Sequence, residues 1–282
     1  MTVFRKTDTR RKSRITITLS PEILERLDRQ IDGRSLRNRS QAIESLLGRS
    51  LRPSVRTAVI LAGGGQQKER LPALSPIDGE ALIAHTLRHA RDHGIRSFVV
   101  LAGEGEGRIR EFLGDGKALG MSLHYIREPQ PRGTAGALKL AEPLLPDEPF
   151  LVIHGDVLTN IDLSGFIEFH FNENAMATMA VKPREADRRF GKVMLQGNRI
   201  TRFLGTSGNG GISLVNTGVY LFQPSVFGLI DSSKPMQLER DVFPKLAEMG
   251  QLSAFLFQGI WYDISTPRDY SLANSRWRPK GG

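Results

Sequence analysis

From Arg14 to Leu19 polar and apolar residues alternate, and the β-branched content predicts a half-buried strand. Ile15, Ile17 and Leu19 share one face; Arg14, Thr16 and Thr18 share the other. Ser20-Pro21 follows, a helix cap with proline at the first helical position. Ile23, Leu24, Leu27 and Ile31 recur at helical spacing before Gly33 stops the run. A second start at Asn38 to Ser40 leads into Ile43, Leu46, Leu47 and Leu51. Beyond Thr57 the rhythm changes. Short, wholly apolar runs (Ala58–Leu61, Ser97–Leu101, Phe150–His154) predict buried strands, and helical periodicity over Leu82–His93 and Ala135–Leu145 alternates with them. Apolar strands alternating with helices predict a parallel sheet covered on both faces, which binds ligands beyond the carboxyl ends of its strands.

The chain has 282 residues, 39% hydrophobic and 24% charged, ordinary values for a globular protein. No apolar run is long enough to span a bilayer, and the basic N-terminus has no apolar segment behind it. A cytoplasmic protein without membrane contact is therefore expected. The absence of cysteine excludes disulfides, thiol catalysis and cysteine–zinc sites. The net charge of +9 is unevenly placed: 14 of the 39 Lys/Arg and 6 of the 30 Asp/Glu precede Thr57, leaving +8 there and +1 in the rest. An arm that meets a polyanion fits that asymmetry.

One strand and two short helices cannot close a core alone, but two interlocked copies can, with paired strands beneath four helices. Over Arg11 to Leu51 the sequence resembles the ribbon-helix-helix family of bacterial DNA-binding proteins. The resemblance implies a ribbon in the major groove read through Arg14, Thr16 and Thr18, and a phosphate at the start of the second helix near Arg39 and Ser40. It also implies a homodimer, or a higher homo-oligomer. A module that only dimerises the domain behind it has the same pattern. The expected organisation is residues 1–51 as this module, 52–56 as linker and 57–282 as the α/β domain.

Leu61-Ala62-Gly63-Gly64-Gly65 after the first strand frees backbone N–H groups to approach a phosphate, yet it is neither a P-loop nor the dinucleotide fingerprint. Four further segments stand in order behind it: Arg132–Ala137 (RGTAGA), Phe150–Asp162 (FLVIHGDVLTNID), Val215–Tyr220 (VNTGVY) and Trp261–Pro267 (WYDISTP). Together they resemble the nucleotidyltransferases that join a nucleoside triphosphate to a sugar 1-phosphate and release pyrophosphate, with members acting on mannose, glucose or heptose phosphates. The resemblance implies a Rossmann-like, mostly parallel sheet of the nucleotidyltransferase, GT-A-like type. By family position Asp156 and Asp263 would hold Mg²⁺. Leu61, Ala62, Gly63, Gly64 and Gly65 would meet the triphosphate, Glu128, Gly133 and Thr134 would lie near the nucleotide, and Gly155, Asn216 and Thr217 would face the sugar. His154 reads as a packed strand-end residue.

Three cationic features of that family are altered. The glycine loop normally continues Gly-Thr-Arg, whereas here it runs Gln66-Gln67-Lys68-Glu69-Arg70, with Arg70 and Lys68 as the available replacements. A Pro-Lys pair gives way to Pro72-Ala73. Phe203-Leu204-Gly205 stands where a Glu-Lys-Pro would hold the sugar phosphate, leaving Lys182 and Lys192 as spare cations. Two readings follow: an active transferase carrying a DNA-binding module, or a transcription regulator whose degenerate transferase domain senses a nucleotide or sugar phosphate.

Overall fold

The computed structural model describes residues 16–33, 36–50, 53–63, 71–128, 130–185, 190–205 and 211–277. The chain divides into two compact units after residue 52.

In the first unit, helix α1 (Pro21–Asp28) starts where the Ser20 hydroxyl accepts the Ile23 N–H, with Pro21 in the first turn. Helix α2 is Arg39–Ser50. The Asn38 side chain caps it by accepting the Gln41 N–H at 2.9 Å, and Gln41 reaches back to the Arg37 N–H at 2.8 Å. Gly33, at φ +71°, turns the chain between them. Arg39 ties the helices together through a two-pronged bond to Asp28, both contacts 2.7 Å. Residues 16–20 form no strand, in contrast to the alternation of Arg14–Leu19. A strand exists only with a ladder partner, and this single chain offers none among its described residues.

The second unit is built of β1 (Thr57–Leu61), β2 (Pro76–Ile77), β3 (Glu80–Ala81), α3 (Leu82–Asp92), β4 (Ser97–Leu101), α4 (Glu106–Leu113), β5 (Ser122–Ile126), α5 (Gly133–Ala141), β6 (Phe150–His154), β7 (Val157–Thr159) and α6 (Leu163–Glu173). There follow β8 (Ala177–Glu185), β9 (Lys192–Gln196), β10 (Arg199–Gly205), β11 (Ile212–Phe222), α7 (Phe243–Glu248), β12 (Leu252–Leu256), β13 (Trp261–Asp263) and α8 (Pro267–Arg276). Nine strands make one sheet in the order β5-β4-β1-β6-β11-β8-β12-β10-β9. Successive residues of β1, β4 and β6 enter two different cores: Ile60, Val100 and Ile153 pack on one face, Val59, Val99 and Val152 on the other. Burial on both faces is why these strands read as unbroken apolar runs.

The sheet is less parallel than the sequence predicts. β5, β4, β1 and β6 are parallel, but β11 is antiparallel to both β6 and β8, and β10 is antiparallel to β9 and β12. For the β9–β10 pair the physical reason is the length of the connection. β9 and β10 are joined by a tight turn containing Gly197 (φ +59°), and a parallel pair needs a long crossover.

Candidate active site

The carboxyl ends of β1 and β6 bring two signals together. Gly155, just past β6, donates its N–H to the Leu61 carbonyl at 2.8 Å, and a Cβ there would lie 2.7 Å from Ala62 Cα. Only glycine allows this approach, which sets Asp156 beside the turn after β1. The C-terminal motif arrives by a separate route: β13 pairs with β7, placing Asp263 opposite Val157, and the Ile264 N–H bonds the Asp156 carbonyl at 2.9 Å. Asp156 and Asp263 thus line one cavity of about 190 Å³.

That cavity continues with His154, Asn216, Thr217, Tyr220, Glu239 and Trp261. A bulge in β11 shapes it: Asn216 pairs with Val181 and Tyr220 with Met179, so two extra residues leave the ladder. Gly218 takes φ +75° within the bulge, its N–H bonded to Asn216 Oδ1 at 3.0 Å. Asn216 Nδ2 donates to the Tyr220 hydroxyl at 2.8 Å, Thr217 Oγ1 donates to the Ala180 carbonyl, and Trp261 Nε1 donates to the Thr217 carbonyl.

A second cavity of about 310 Å³ shares His154 and Asp156 and is lined by Leu61, Gly63, Glu128, Gly133, Thr134 and Gln237. Gly133 (φ +74°) lies so close to Met236 that a Cβ would sit 2.4 Å from its carbonyl oxygen. The first N–H groups of α5 are already occupied, Thr134 by Gln237 Oε1 and Ala135 by the Met236 carbonyl. Glu128 Oε1 accepts the Arg132 N–H at 2.6 Å, which leaves its other oxygen for a ligand.

Burial pushes the Asp156 carboxyl above the usual range; neighbouring His154 opposes this and the charge of Asp263 adds to it. A buried carboxyl with a second carboxylate beside it favours a cation between them. Among the described residues no three His, Asp or Glu side chains cluster as a complete metal site. Magnesium suits such a pair, because it binds through one or two carboxylates and completes its shell with water and phosphate oxygens.

The two cavities therefore gather Leu61, Gly63, Glu128, Gly133, Thr134, Asp156, Asn216, Thr217 and Asp263. Ala62 and Gly155 line neither; they are the close contact behind the site. Gly64, Gly65, Lys68 and Arg70 lie outside the described residues, as does Arg14. Thr16, Thr18 and Ser40 are exposed in the first unit, and Arg39 is engaged by Asp28. The sequence reading missed Glu239 and Gln237, and it assigned no role to Tyr220 and Trp261 within the motifs it quoted. Glu239 and Gln237 sit in and before a π-helical turn (Leu238–Val242), where no periodic signal marks them.

A family profile described as Nucleotidyl transferase matches residues 57–278. The chain belongs to the nucleotidyl transferase family. Residues 1–56 lie outside the match. The family assignment rests on most of the second unit and includes every residue of both cavities. The chain is 30% identical over 223 residues to the mannose-1-phosphate guanylyltransferase catalytic subunit beta of Drosophila melanogaster, covering 76% of this chain and 60% of that protein. It thus spans about 60% of the length of that curated relative. A 36% identity over 155 residues links it to the mannose-1-phosphate guanyltransferase of Yarrowia lipolytica, covering 54% and 42% of the two chains. The fold matches the crystal structure of HddC from Yersinia pseudotuberculosis with a TM-score of 0.70 at 22% identity, over 79% of this chain and all of that one. No helix among the described residues is long and apolar enough to cross a membrane.

Proposed function

We propose that the second unit joins a nucleoside triphosphate to a sugar 1-phosphate. A phosphate oxygen of the sugar phosphate attacks the α-phosphorus, the bond to the bridging oxygen of pyrophosphate breaks, and pyrophosphate leaves. The attacking oxygen is already ionised, so no general base is needed and the residues serve to position and to balance charge. The observation that carries the reading is Asp156, shared by two adjoining cavities with Asp263 beside it. The larger cavity takes the nucleotide and the smaller one the sugar. Asp156 and Asp263 hold Mg²⁺, which would supply charge neutralisation on the phosphates. The relatives named above favour GTP and mannose 1-phosphate, and the free Glu128 oxygen suits the N–H donors of guanine.

The first unit acts as a ribbon-helix-helix module in this reading. Ile17, Leu19, Ile23, Leu27, Ile43, Leu46 and Leu47 border an open apolar hollow of about 530 Å³. Ile17 and Leu19 belong to a stretch without a ladder, so the occupant is a second copy whose strand completes the ribbon. DNA is then met by Arg14, Thr16 and Thr18.

A specific observation keeps the sensor reading as the second: among the described residues neither cavity is lined by lysine or arginine. The deciding experiment incubates the chain with nucleoside triphosphates, Mg²⁺ and several sugar 1-phosphates and follows pyrophosphate. Release with GTP and mannose 1-phosphate supports the transferase. Measurable binding with no release from any pair removes it in favour of the sensor. For the first unit, Arg14→Ala is expected to abolish binding to DNA upstream of the chain's own gene, and unchanged binding at physiological salt would remove that role.

A further inference from the structure

The smaller cavity presents three carboxylates, Asp156, Asp263 and Glu239, and no cationic side chain among its described lining. A sugar 1-phosphate brings at least one more negative charge into that field. Phe203-Leu204-Gly205 supplies no lysine to meet it, and Phe203 itself is part of the cavity wall. One cation stands beside the same wall on a different strand, and a second lies behind it. Arg184 of β8 holds its guanidinium 5.0 Å from the Trp261 ring centre and 5.5 Å from that of Phe190. Both rings line the cavity, so Arg184 flanks it. Lys182, two residues earlier and on the same face of the strand, donates to the Gly259 carbonyl at 2.6 Å and lies 5.1 Å from the Phe257 ring centre.

We propose that Arg184, with Lys182 behind it, provides the positive charge that holds the phosphate of the sugar 1-phosphate, in place of the lysine that residues 203–205 lack. The proposal rests on the transferase reading of the smaller cavity. Neither cation forms an ion pair with a carboxylate among the described residues, whereas Arg88 and Arg110, for example, do. Burial, and after it the charge of Arg184, hold the Lys182 ammonium below its usual pKa. Lys182 is pinned by its backbone bond, whereas among the described residues Arg184 rests on ring faces. A phosphate can draw its planar fork off the rings into two parallel charge-assisted bonds, a stronger arrangement than the stacking it replaces.

The test uses the full chain with Arg184→Gln and Arg184→Lys. Glutamine keeps a flat amide against Trp261 but removes the charge, and the fluorescence of the two tryptophans with the melting temperature reports whether the wall is intact. With GTP and mannose 1-phosphate, R184Q is expected to raise KM for the sugar phosphate by about 10- to 100-fold, the range for losing a hydrogen bond to a charged group. KM for GTP should stay within twofold and R184K should recover part of the loss. Unchanged KM for the sugar phosphate in R184Q, or an equal rise for both substrates, overturns the proposal while leaving the transferase reading standing. If the wild type releases no pyrophosphate, calorimetry with mannose 1-phosphate takes its place. Weaker binding by R184Q then supports the arginine even as the transferase reading fails; equal binding, or none by either protein, overturns it.

Discussion

The two units of this chain treat their apolar residues in opposite ways. In the second, Val59, Val99, Val152 and Tyr220 are wholly buried, and two cores cover both faces of the sheet. In the first, Leu27 and Ala42 are the only buried apolar side chains among the described residues, while Ile23 stays 51% exposed and Ile17, Leu46 and Leu47 nearly as much. Both units carry helices with apolar residues at helical spacing. The difference is one of completeness: a nine-stranded sheet with helices on both faces closes on itself, whereas two short helices leave half their contacts to be found elsewhere. The proposed pairing with a second copy would cover these side chains. The assembly of the first unit and the chemistry of the second should therefore fail separately.

The largest effect is expected from Asp156→Asn. Pyrophosphate release should fall by about 10²–10³ or more, the scale for losing one charge-stabilising group in a dry site. The oligomeric state by sedimentation should not change. A variant that loses its assembly as well would break the separation of the units.

Next comes Leu46→Asp, which places an unpaired charge in the apolar hollow of the first unit. Dimer dissociation should rise by at least about 100-fold, near 3 kcal/mol. Activity per chain, measured above and below the new dissociation constant, should match the wild type. Loss of activity in step with dissociation would show that the sites depend on assembly.

A stability test separates the units by pH. His170 is buried between Thr178 Oγ1 at 2.8 Å and Gln223 Nε2 at 3.1 Å, and burial lowers its pKa from 6.5 to about 4. The folded chain keeps the ring neutral while the unfolded chain takes up a proton below pH 6.5. This residue's stabilising share is therefore complete above pH 6.5 and drains away as pH falls towards 4, roughly 3 kcal/mol in all. His170→Gln should flatten that part of the stability curve of the second unit, read as the difference between variant and wild type. Parallel curves would show that the ring is charged in the fold.

The smallest effect concerns Arg39. Its bond to Asp28 lies at the surface, with both side chains about half exposed, so Arg39→Ala should leave the melting of the first unit nearly unchanged. If Arg39 leaves Asp28 for a DNA phosphate, the salt slope of DNA binding should drop by about one. An unaltered slope would leave Arg39 as a link between two helices and nothing more.

Much of this architecture was legible along the chain. The apolar runs at Ala58–Leu61, Ser97–Leu101 and Phe150–His154 coincide with strands, because burial on both faces removes the need for polar positions. Ser20-Pro21 and Asn38 announced both helices of the first unit through their capping groups. Gly155 and Gly133 were conspicuous for a reason the structure makes explicit: any side chain there would collide with Ala62 or Met236. The apolar runs and capping groups act within a few residues, so sequence alone determines them, whereas the neighbours that exclude a side chain at Gly155 and Gly133 come from far along the chain.

What lies between distant segments was settled only in three dimensions. The antiparallel placing of β11 between β6 and β8 joins strands far apart in the chain, and the β11 bulge that shapes the smaller cavity is a register shift that no periodicity encodes. Glu239 meets Asp156 in one cavity, and Arg184 meets Trp261, through strand pairings far apart in the chain. Such neighbours are chosen by how the sheet closes and packs, a property of the whole core that no single stretch of sequence carries.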